Sequence, residues 1–284
     1  MKTKLILLLS FFGITSISCS KEEKAISKPI NYVVILDLSD RILANNQLEK
    51  DAFLIETFFK KFQQKSMQNL ILNSKNRFSV KIIPQKNSTL DTDYFENKLQ
   101  LYLDEISVKD KKTKMQELSN SISKELQKLK KEALYSNKSS AYFGVDIWSF
   151  LHDNGAKLSK PNYENTFLML TDGYFDFENQ NHVIQDKNLY TSTQFFKELE
   201  GTNWKKIASE KQYGILPINL DPKTNWIIAG ISSKNENDIL QNEKITYFWN
   251  KWLVESKVKN SCFVLNSSKT DMQSKLQAEI NKFH

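Results

Sequence analysis

A buried strand is predicted by the run Val33-Val34-Ile35-Leu36, which continues without a break into Asp37-Leu38-Ser39-Asp40-Arg41. Four β-branched or aliphatic residues in succession are typical of a strand that is covered on both faces, as in the parallel sheets of α/β proteins. In such sheets ligands bind at the carboxyl ends of the strands. The polar residues from Asp37 to Arg41 therefore stand where a binding site is expected.

A second apolar run, Thr166-Phe167-Leu168-Met169-Leu170-Thr171, also ends in a carboxylate, at Asp172-Gly173. Because the carboxyl ends of parallel strands meet at one edge of a sheet, we expect the carboxylates of Asp37 and Asp172 to lie close together. Hydroxyl groups are expected at the same edge, from Ser39 and from Ser139 or Ser140 in a middle loop.

Strands alternate with helices along the rest of the chain. Further strands are predicted at 78–83, 214–218, 226–231 and 261–265. Helices are predicted at 48–66, 91–106, 114–135, 142–151, 191–199, 204–210, 237–255 and 270–283. This alternation predicts an α/β fold of the Rossmann-like kind, with a doubly wound, mainly parallel sheet flanked by helices. Helical and loop insertions are expected near 110–135 and 174–190.

Two carboxylates with nearby hydroxyl groups form an oxygen site, which suits a hard divalent cation such as Mg²⁺, Mn²⁺ or Ca²⁺. A cation held in this way keeps a coordination position open, and a carboxylate of a partner can fill that position. Such recognition needs neither a nucleophile nor a general base. We therefore expect a binding module, and not an enzyme, with a protein partner that presents an acidic group.

These motifs resemble the metal-ion-dependent adhesion site of von Willebrand factor type A domains. That site has an Asp-x-Ser-x-Ser turn after the first strand, a Thr or Ser in a middle loop and an Asp after a later strand. The turn is similar to Asp37-Leu38-Ser39-Asp40-Arg41 and the later strand to Phe167–Gly173, within a resemblance that covers most of residues 31–283. It implies one set of cation ligands, Asp37, Ser39, Ser140 and Asp172, and one set of ligand-contacting residues, Arg41, Asp40 and Ser139.

Arg41 stands where the second serine of that turn is expected. A guanidinium group cannot ligate a cation and is repelled by one. Arg41 either points away from the site, so that a cation binds, or supplies the positive charge itself. In the second case it pairs with Asp37 or Asp172 and offers its fork to an acidic ligand. A degenerate site and an ordinary structural strand end are the other interpretations.

The amino terminus predicts export from the cytoplasm. The basic segment Met1–Lys4 precedes the apolar segment Leu5–Ile14, which is too short for a membrane-spanning helix of roughly 20 residues. Small residues then lead to Cys19, which resembles the lipidated cysteine of a bacterial lipoprotein signal. We expect a signal peptide at 1–19, a linker at 20–30 and one domain at 31–284. A lipid anchor would hold this domain on the outer membrane, facing the periplasm or the cell surface.

Other functions are weighed against the same residues. The net charge of +7 comes almost entirely from lysine and accompanies no nucleic-acid-binding signature, so no nucleic-acid partner is expected. The enzymatic alternative is a hydrolase or phosphatase that uses the same aspartates. A phosphatase of the haloacid dehalogenase type needs a second carboxylate two residues after Asp37, and that position is Ser39. The third alternative is a scaffold in which the site is vestigial.

Two further features are interpreted as structural. Asp146 lies at the start of a predicted helix, where the helix dipole favours a carboxylate. The aromatic stretch Tyr247–Trp252 has helical spacing, which is typical of a buried helix face.

Overall fold

The structure is a computed structural model, and it describes residues 28–68, 70–86, 88–134, 142, 144–176, 185–234 and 240–283. The strands are β1 (Ile30–Asp37), β2 (Arg77–Ile83), β3 (Gln100–Tyr102), β4 (Glu164–Leu170), β5 (Gln185–Asp186), β6 (Leu189–Tyr190), β7 (Gly214–Ile215), β8 (Asn225–Ile231) and β9 (Asn260–Leu265). The helices are α1 (Gln47–Gln68), α2 (Thr92–Lys98), α3 (Lys111–Ala133), α4 (Ile147–Leu158), α5 (Trp204–Glu210), α6 (Gln241–Glu255) and α7 (Lys269–Lys282).

The central sheet of the described chain has six strands in the order β3-β2-β1-β4-β8-β9. Strand β3 runs antiparallel to β2, and the other neighbouring pairs are parallel. The short strands β5, β6 and β7 form a separate sheet. A mainly parallel sheet whose strands alternate with helices confirms the predicted doubly wound α/β fold.

Helices cover both faces of the central sheet. In β1 the side chains of Tyr32, Val34 and Leu36 pack into the core on the face of α1, α2, α3 and α7. The side chains of Val33 and Ile35 pack into the core on the face of α4, α5 and α6. Successive residues of a strand point to opposite faces, so both sets are buried and the strand reads as a continuous apolar run.

The helix predicted at 91–106 is wrong in its second half. Helix α2 ends at Lys98, and the next residues form the edge strand β3. The side chains of Leu99, Leu101 and Leu103 are all buried, which is the period of two that a strand shows. Pairing with β2 gives the backbone of this segment hydrogen-bond partners that a local sequence pattern cannot reveal.

Other boundaries also differ from those predicted. The helix expected at 142–151 begins at Ile147, because the Asp146 carboxylate accepts a hydrogen bond of 2.9 Å from the Ser149 N–H and caps the helix there. The interpretation of Asp146 as a helix-start carboxylate is therefore confirmed. The helical segment expected at 191–199 is a short 3-10 helix, Gln194–Glu198, and the strand expected at 214–218 ends at Ile215.

The aromatic stretch of α6 is confirmed as core. The side chains of Phe248, Trp249 and Trp252 are at most 1% exposed and belong to the hydrophobic cluster on their face of the sheet. The inserted helix α3 also covers the sheet, since its apolar stripe from Met115 to Leu129 is buried in the opposite cluster.

The central sheet has two edges at the ends of its strands. The carboxyl edge is where β1, β4 and β8 end, at Asp37, Leu170 and Ile231, and the amino edge is where β1 and β4 begin, at Ile30 and Glu164. Seven residues of strand separate the two edges by about 23 Å. Among the described residues, no helix has the length and apolar character needed to span a membrane.

Candidate binding site at the carboxyl edge

The two strand-end aspartates lie at the same edge of the sheet. Strand β1 ends at Asp37, and Asp172 follows the end of the neighbouring strand β4. The Thr171 hydroxyl donates a hydrogen bond of 2.7 Å to Asp37 Oδ2, which joins the two strand ends. Asp37 is 1% exposed and Asp172 is 4% exposed. The geometry agrees with the expected convergence of Asp37 and Asp172, while Thr171 was considered only as part of the strand.

The Asp37 carboxylate also closes the turn that follows β1. The Ser39 N–H donates a hydrogen bond of 2.8 Å to Asp37 Oδ1, and the Ser39 side chain is buried in the turn. The 3-10 helix Asp40–Leu43 begins directly afterwards. Both carboxylate oxygens of Asp37 are thus held by groups of the domain, which sets their position at the edge.

Arg41 points inward, toward helix α1. Its Nη1 donates to the Asp37 carbonyl oxygen at 2.9 Å and to Asp51 Oδ2 at 2.8 Å, and its Nη2 donates to Asp51 Oδ1 at 3.0 Å. The Asp51 carboxylate also accepts a hydrogen bond of 2.9 Å from Gln47 Nε2. Both side chains of the Arg41–Asp51 pair are at most 3% exposed.

This arrangement decides between the interpretations of Arg41. The guanidinium fork is occupied by Asp51 within the domain, so it is not open to an acidic ligand at the edge. Burial disfavours the charged form of Arg41, but the carboxylates of Asp51 and Asp37 outweigh it and raise the pKa of Arg41 above its ordinary value. Sequence reasoning missed Asp51, although the spacing of Gln47 and Asp51 by one helical turn is a signal for two side chains on one helix face.

Lys234 supplies the exposed positive charge of the site. Its Nζ lies 3.9 Å from Asp172 Oδ2 and 3.2 Å from Asp40 Oδ1, and its side chain is 41% exposed. The other oxygen of Asp172, Oδ1, accepts a hydrogen bond of 3.2 Å from the Tyr174 N–H. The Lys234 N–H in turn donates to the Tyr174 hydroxyl at 3.1 Å. Asp40, predicted to contact a ligand, therefore lies at the rim with Lys234 as its partner.

Lys234 was also missed by sequence reasoning. It follows strand β8 in the polar run Ser232-Ser233-Lys234, which is the same signal that identified Asp37 and Asp172 after their own strands. A search for polar residues directly after every predicted parallel strand would have included Lys234, at the end of a third strand, among the site residues.

The two buried carboxylates repel each other. Burial and, second to it, the Asp37 carboxylate raise the pKa of Asp172 to about 7 against the opposing effects of Lys234 and Arg41. Burial also raises the pKa of Asp37, while Arg41 and the hydrogen bonds from Ser39 and Thr171 oppose this shift. Ionisation of both carboxylates at once is unfavourable here, and a cation bound between them would stabilise their ionised forms.

Gly230 allows β8 to approach Thr171 and Arg41 closely. Its φ is +96°, and a Cβ at this position would lie 3.0 Å from the Thr171 carbonyl oxygen and 3.2 Å from Arg41 Nη2. A larger residue would therefore be strained in its backbone and would also press on two residues that hold Asp37.

Three predicted site residues lie outside the described residues. These are the hydroxyl ligand Ser140, its neighbour Ser139 and the lipidated Cys19. The described part of the predicted cation site consists of Asp37, Ser39 and Asp172.

These three residues fit a hard cation in the kind of ligand they offer. Two carboxylates and a hydroxyl group are ligands that Mg²⁺ and Ca²⁺ prefer, and a cation would favour the ionised form of Asp172, whose pKa is raised by burial and by the Asp37 carboxylate. In the part of the chain that the structure describes, no group of three or more His, Cys, Asp or Glu side chains is placed to hold a metal ion. A cation at Asp37 and Asp172 would thus depend on hydroxyl groups, water or the partner for its remaining ligands.

Comparisons with known proteins give only distant likenesses. No protein-family model and no curated protein matches the chain. The pilus adhesin SpaC from Lactobacillus rhamnosus GG, in its open conformation, is 10% identical with a TM-score of 0.43, over 91% of this chain and 30% of the adhesin. Proximal thread matrix protein 1 from the mussel byssus is 12% identical with a TM-score of 0.35, over 89% of this chain and 48% of that protein. The chain thus spans about a third of the adhesin and about half of the byssus protein, and its α/β fold is established by its own strand order and directions.

Proposed function

We propose that this chain is an adhesion-type binding module that recognises an acidic group of a protein partner at the carboxyl edge. A divalent cation held by Asp37, Ser39 and Asp172 would make the contact, with Mg²⁺, Mn²⁺ and Ca²⁺ as the candidates. The observation that carries this proposal is the buried pair of carboxylates from neighbouring strand ends, in which the pKa of Asp172 is raised to about 7.

The charges around the pair support a cation. Arg41 is compensated by Asp51, and Lys234 is shared between Asp172 and the rim residue Asp40. The carboxylates of Asp37 and Asp172 are therefore incompletely neutralised by the described residues around them. A dication between them would favour the ionised form of both and would leave coordination positions for the partner.

Lys234 allows the same function without a metal ion. Its ammonium group is partly exposed next to Asp172, so it could present a positive charge to an acidic partner in place of a cation. The two variants make opposite predictions for a Lys234→Met chain. Cation binding becomes stronger if Lys234 competes with a cation, whereas capture of an acidic partner is lost if Lys234 is itself the contact.

A hydrolase or phosphatase is the second candidate function, favoured by one observation. A carboxyl group whose pKa is about 7 is suited to general acid or base catalysis near neutral pH. Steady hydrolysis of p-nitrophenyl phosphate that is abolished by Asp172→Asn would support this candidate over the binding module.

We also propose that a lipid on Cys19 holds the module on the outer membrane. This part rests on the basic and apolar residues that precede Cys19 in the sequence. Labelling cells with a radioactive fatty acid tests it, because the label should be absent from a Cys19→Ala chain.

The cation is tested by isothermal titration of Mg²⁺, Mn²⁺ and Ca²⁺ into the chain and three variants. We expect binding by the parent chain, loss of binding in Asp172→Asn and equal or tighter binding in Lys234→Met. Lys205→Met is the matched control, because Lys205 is also a partly exposed, ion-paired lysine but pairs with Glu243. An absence of heat from all three cations with both the parent and Lys234→Met would contradict a cation site.

The acidic partner is tested with an array of peptides that contain Asp or Glu, each matched to the same peptide with Asn or Gln. Under the cation proposal we expect binding to the acidic member of a pair in Mg²⁺ and no binding in excess EDTA. Binding that persists in EDTA and disappears in Lys234→Met would instead support the metal-free variant.

A further inference from the structure

Four large apolar side chains are exposed on segments that lie at the amino edge. Met67 is 58% exposed, Leu70 is 69% exposed, Leu72 is 45% exposed and Val108 is 58% exposed. Single apolar residues on a surface are ordinary, but a local group of them marks a surface that contacts something else. We call these four residues the apolar corner.

The apolar corner is assembled from two separate parts of the chain. Met67, Leu70 and Leu72 lie between the last turn of α1 and the start of β2, while Val108 directly precedes α3. The Nζ of Lys111, in the first turn of α3, donates to the Leu72 carbonyl oxygen at 3.1 Å and to the Ser74 carbonyl oxygen at 2.7 Å, which joins the two parts.

Leu70 has an unusual backbone conformation. Leu70 has a φ of +60°, in the left-handed region that residues other than glycine rarely adopt. Its N–H is nevertheless held by the Met67 carbonyl oxygen at 3.2 Å. A leucine that adopts this conformation with most of its side chain in solvent gains little apolar contact within the domain.

Lysines surround the apolar corner. Lys75, Lys109 and Lys112 are exposed, and none of them forms an ion pair with another described residue. The nearby carboxylates of Asp104 and Glu105 share one cation, Arg77, and the exposed Asp110 accepts a hydrogen bond from the Ser107 hydroxyl. The cations at this corner, with Arg77 and Lys111 included, still outnumber these three carboxylates. The surface therefore keeps a net positive charge, which complements a surface of negative charge.

The amino-terminal end of the described chain lies at the same corner. The Ile30 N–H donates a hydrogen bond of 3.0 Å to Asn76 Oδ1, in the segment that leads from the apolar corner into β2. Cys19, the predicted lipidation site, precedes Lys28 by nine residues. Nine residues span at most roughly 30 Å, so an anchor at Cys19 would hold the apolar corner close to a membrane.

We propose that the apolar corner, with Lys75, Lys109 and Lys112, rests on the surface of an anionic lipid bilayer. The apolar side chains would enter the boundary between headgroups and acyl chains, and the lysines would contact the anionic headgroups. The carboxyl edge then points away from the membrane, toward a partner. This inference rests on the proposed anchoring of the module but needs no cation at Asp172, so the titrations above and the experiment below can fail independently.

The test measures which edge of the full chain touches lipid. The chain is bound to vesicles of phosphatidylethanolamine and phosphatidylglycerol whose acyl chains carry bromine, which quenches nearby tryptophan fluorescence. Leu70→Trp reports on the apolar corner, and Leu265→Trp is the matched control at the carboxyl edge, where Leu265 is 41% exposed at the end of β9. The emission of the parent chain is subtracted from both.

We expect quenching of the added emission to be at least about twofold stronger at position 70 than at position 265. Changing Lys75, Lys109 and Lys112 together to Gln should weaken the quenching at position 70. Equal quenching at both positions, or none at position 70, would overturn the proposal. Leu72→Trp serves as the reporter if the far-ultraviolet circular dichroism of Leu70→Trp departs from that of the parent.

A second copy of the chain is the competing occupant of the apolar corner. Sedimentation of the full chain in detergent distinguishes the two, with Leu70→Asp compared with Leu265→Asp. A dimer that Leu70→Asp alone dissociates would mean that the corner is a self-association surface and would overturn the membrane proposal. A sedimentation coefficient that neither variant changes, together with quenching at position 70, supports it.

Discussion

At the scale of single residues, Arg41 forms a buried ion pair at the position where the resemblance to an adhesion-type turn leads one to expect a serine. Asp51 on α1 accepts hydrogen bonds from both of its Nη groups. The pair removes the guanidinium group from the edge where the carboxylates of Asp37 and Asp172 meet. At the edge itself the guanidinium group would repel a cation, but here it is paired with Asp51 inside the domain.

Removing one member of this pair is expected to destabilise the domain strongly. In Asp51→Asn, Arg41 keeps its charge in a buried position without the carboxylate that is hydrogen-bonded to it, which should lower the free energy of unfolding by about 3 to 5 kcal/mol. Urea unfolding measures the loss. Glu117→Gln is the control, because Glu117 forms an exposed pair with Lys114 that should contribute less than about 1 kcal/mol. Equal effects of the two variants would contradict a structural role for the Arg41–Asp51 pair.

Gly230 provides a second test at this scale. Gly201 has a φ of +76° but no atom within 4 Å of an added Cβ, so Gly201→Ala measures backbone strain alone, about 1 kcal/mol. Gly230→Ala adds the contacts with Thr171 and Arg41, and its total cost should be about 2 to 4 kcal/mol. Thermal unfolding compares the two variants. A Gly230→Ala chain as stable as Gly201→Ala would show that the strand ends can move apart at no cost.

At the scale of elements, local sequence signals located most helices, whereas pairing decided the exceptions. The helix 204–210 was predicted with its observed ends, since its pattern and breakers are local. The segment Gln100–Tyr102 became a strand because β2 offered it a partner. Helix α4 begins where Asp146 can cap it, five residues after the aromatic residue with which the predicted helix started.

The capping role of Asp146 makes a prediction that separates it from the binding site. Asp146→Ala should lower the free energy of unfolding by about 1 kcal/mol, because the Ser149 N–H loses its acceptor, whereas Asp146→Asn should retain most of the stability. Neither variant should change the heat of cation binding. Loss of cation binding in Asp146→Asn with normal stability would instead make Asp146 a ligand.

Strand β9 contains a thiol that the fold makes unreactive. Burial, with a smaller effect of the neighbouring Glu279, raises the pKa of Cys262 to about 12. Because only the thiolate is alkylated, reaction with iodoacetamide at pH 8 should be about a thousandfold slower than that of an ordinary cysteine. Mass spectrometry of the peptide that contains Cys262 measures the rate, and the same peptide in urea is the control. Similar rates with and without urea would contradict the raised pKa of this half-buried thiol.

At the scale of the whole molecule, the two edges of the parallel sheet carry different groups. Strand ends from β1, β4 and β8 bring Asp37, Asp172 and Lys234 together at the carboxyl edge. The amino-terminal end and the apolar corner lie at the opposite edge, with the length of the sheet between them. In the proposed function, one edge contacts the membrane and the other contacts the partner.

A cation that binds only the folded chain must also stabilise the whole domain. At a Mg²⁺ concentration about 100 times its dissociation constant, the free energy of unfolding should rise by about 2.7 kcal/mol relative to excess EDTA. Calorimetry at both conditions measures the difference, and Asp172→Asn should abolish it. The same increase in Asp172→Asn would place the cation elsewhere in the molecule.

The fold class and the edge that carries the candidate site follow from the sequence alone. The apolar runs that end in Asp37 and Asp172 predict a sheet covered on both faces, because burial on two faces gives each strand a continuous apolar sequence. They also predict the edge, because the carboxyl ends of neighbouring parallel strands meet there. Only the tertiary structure decided where Arg41 points, that Asp51 receives it and that Lys234 lies beside Asp172. The contacts of Arg41 with Asp51, of Thr171 with Asp37 and of Lys234 with Asp172 join residues that are 10, 134 and 62 positions apart. No local pattern encodes such distances, since packing of the helix and strand ends in three dimensions sets them.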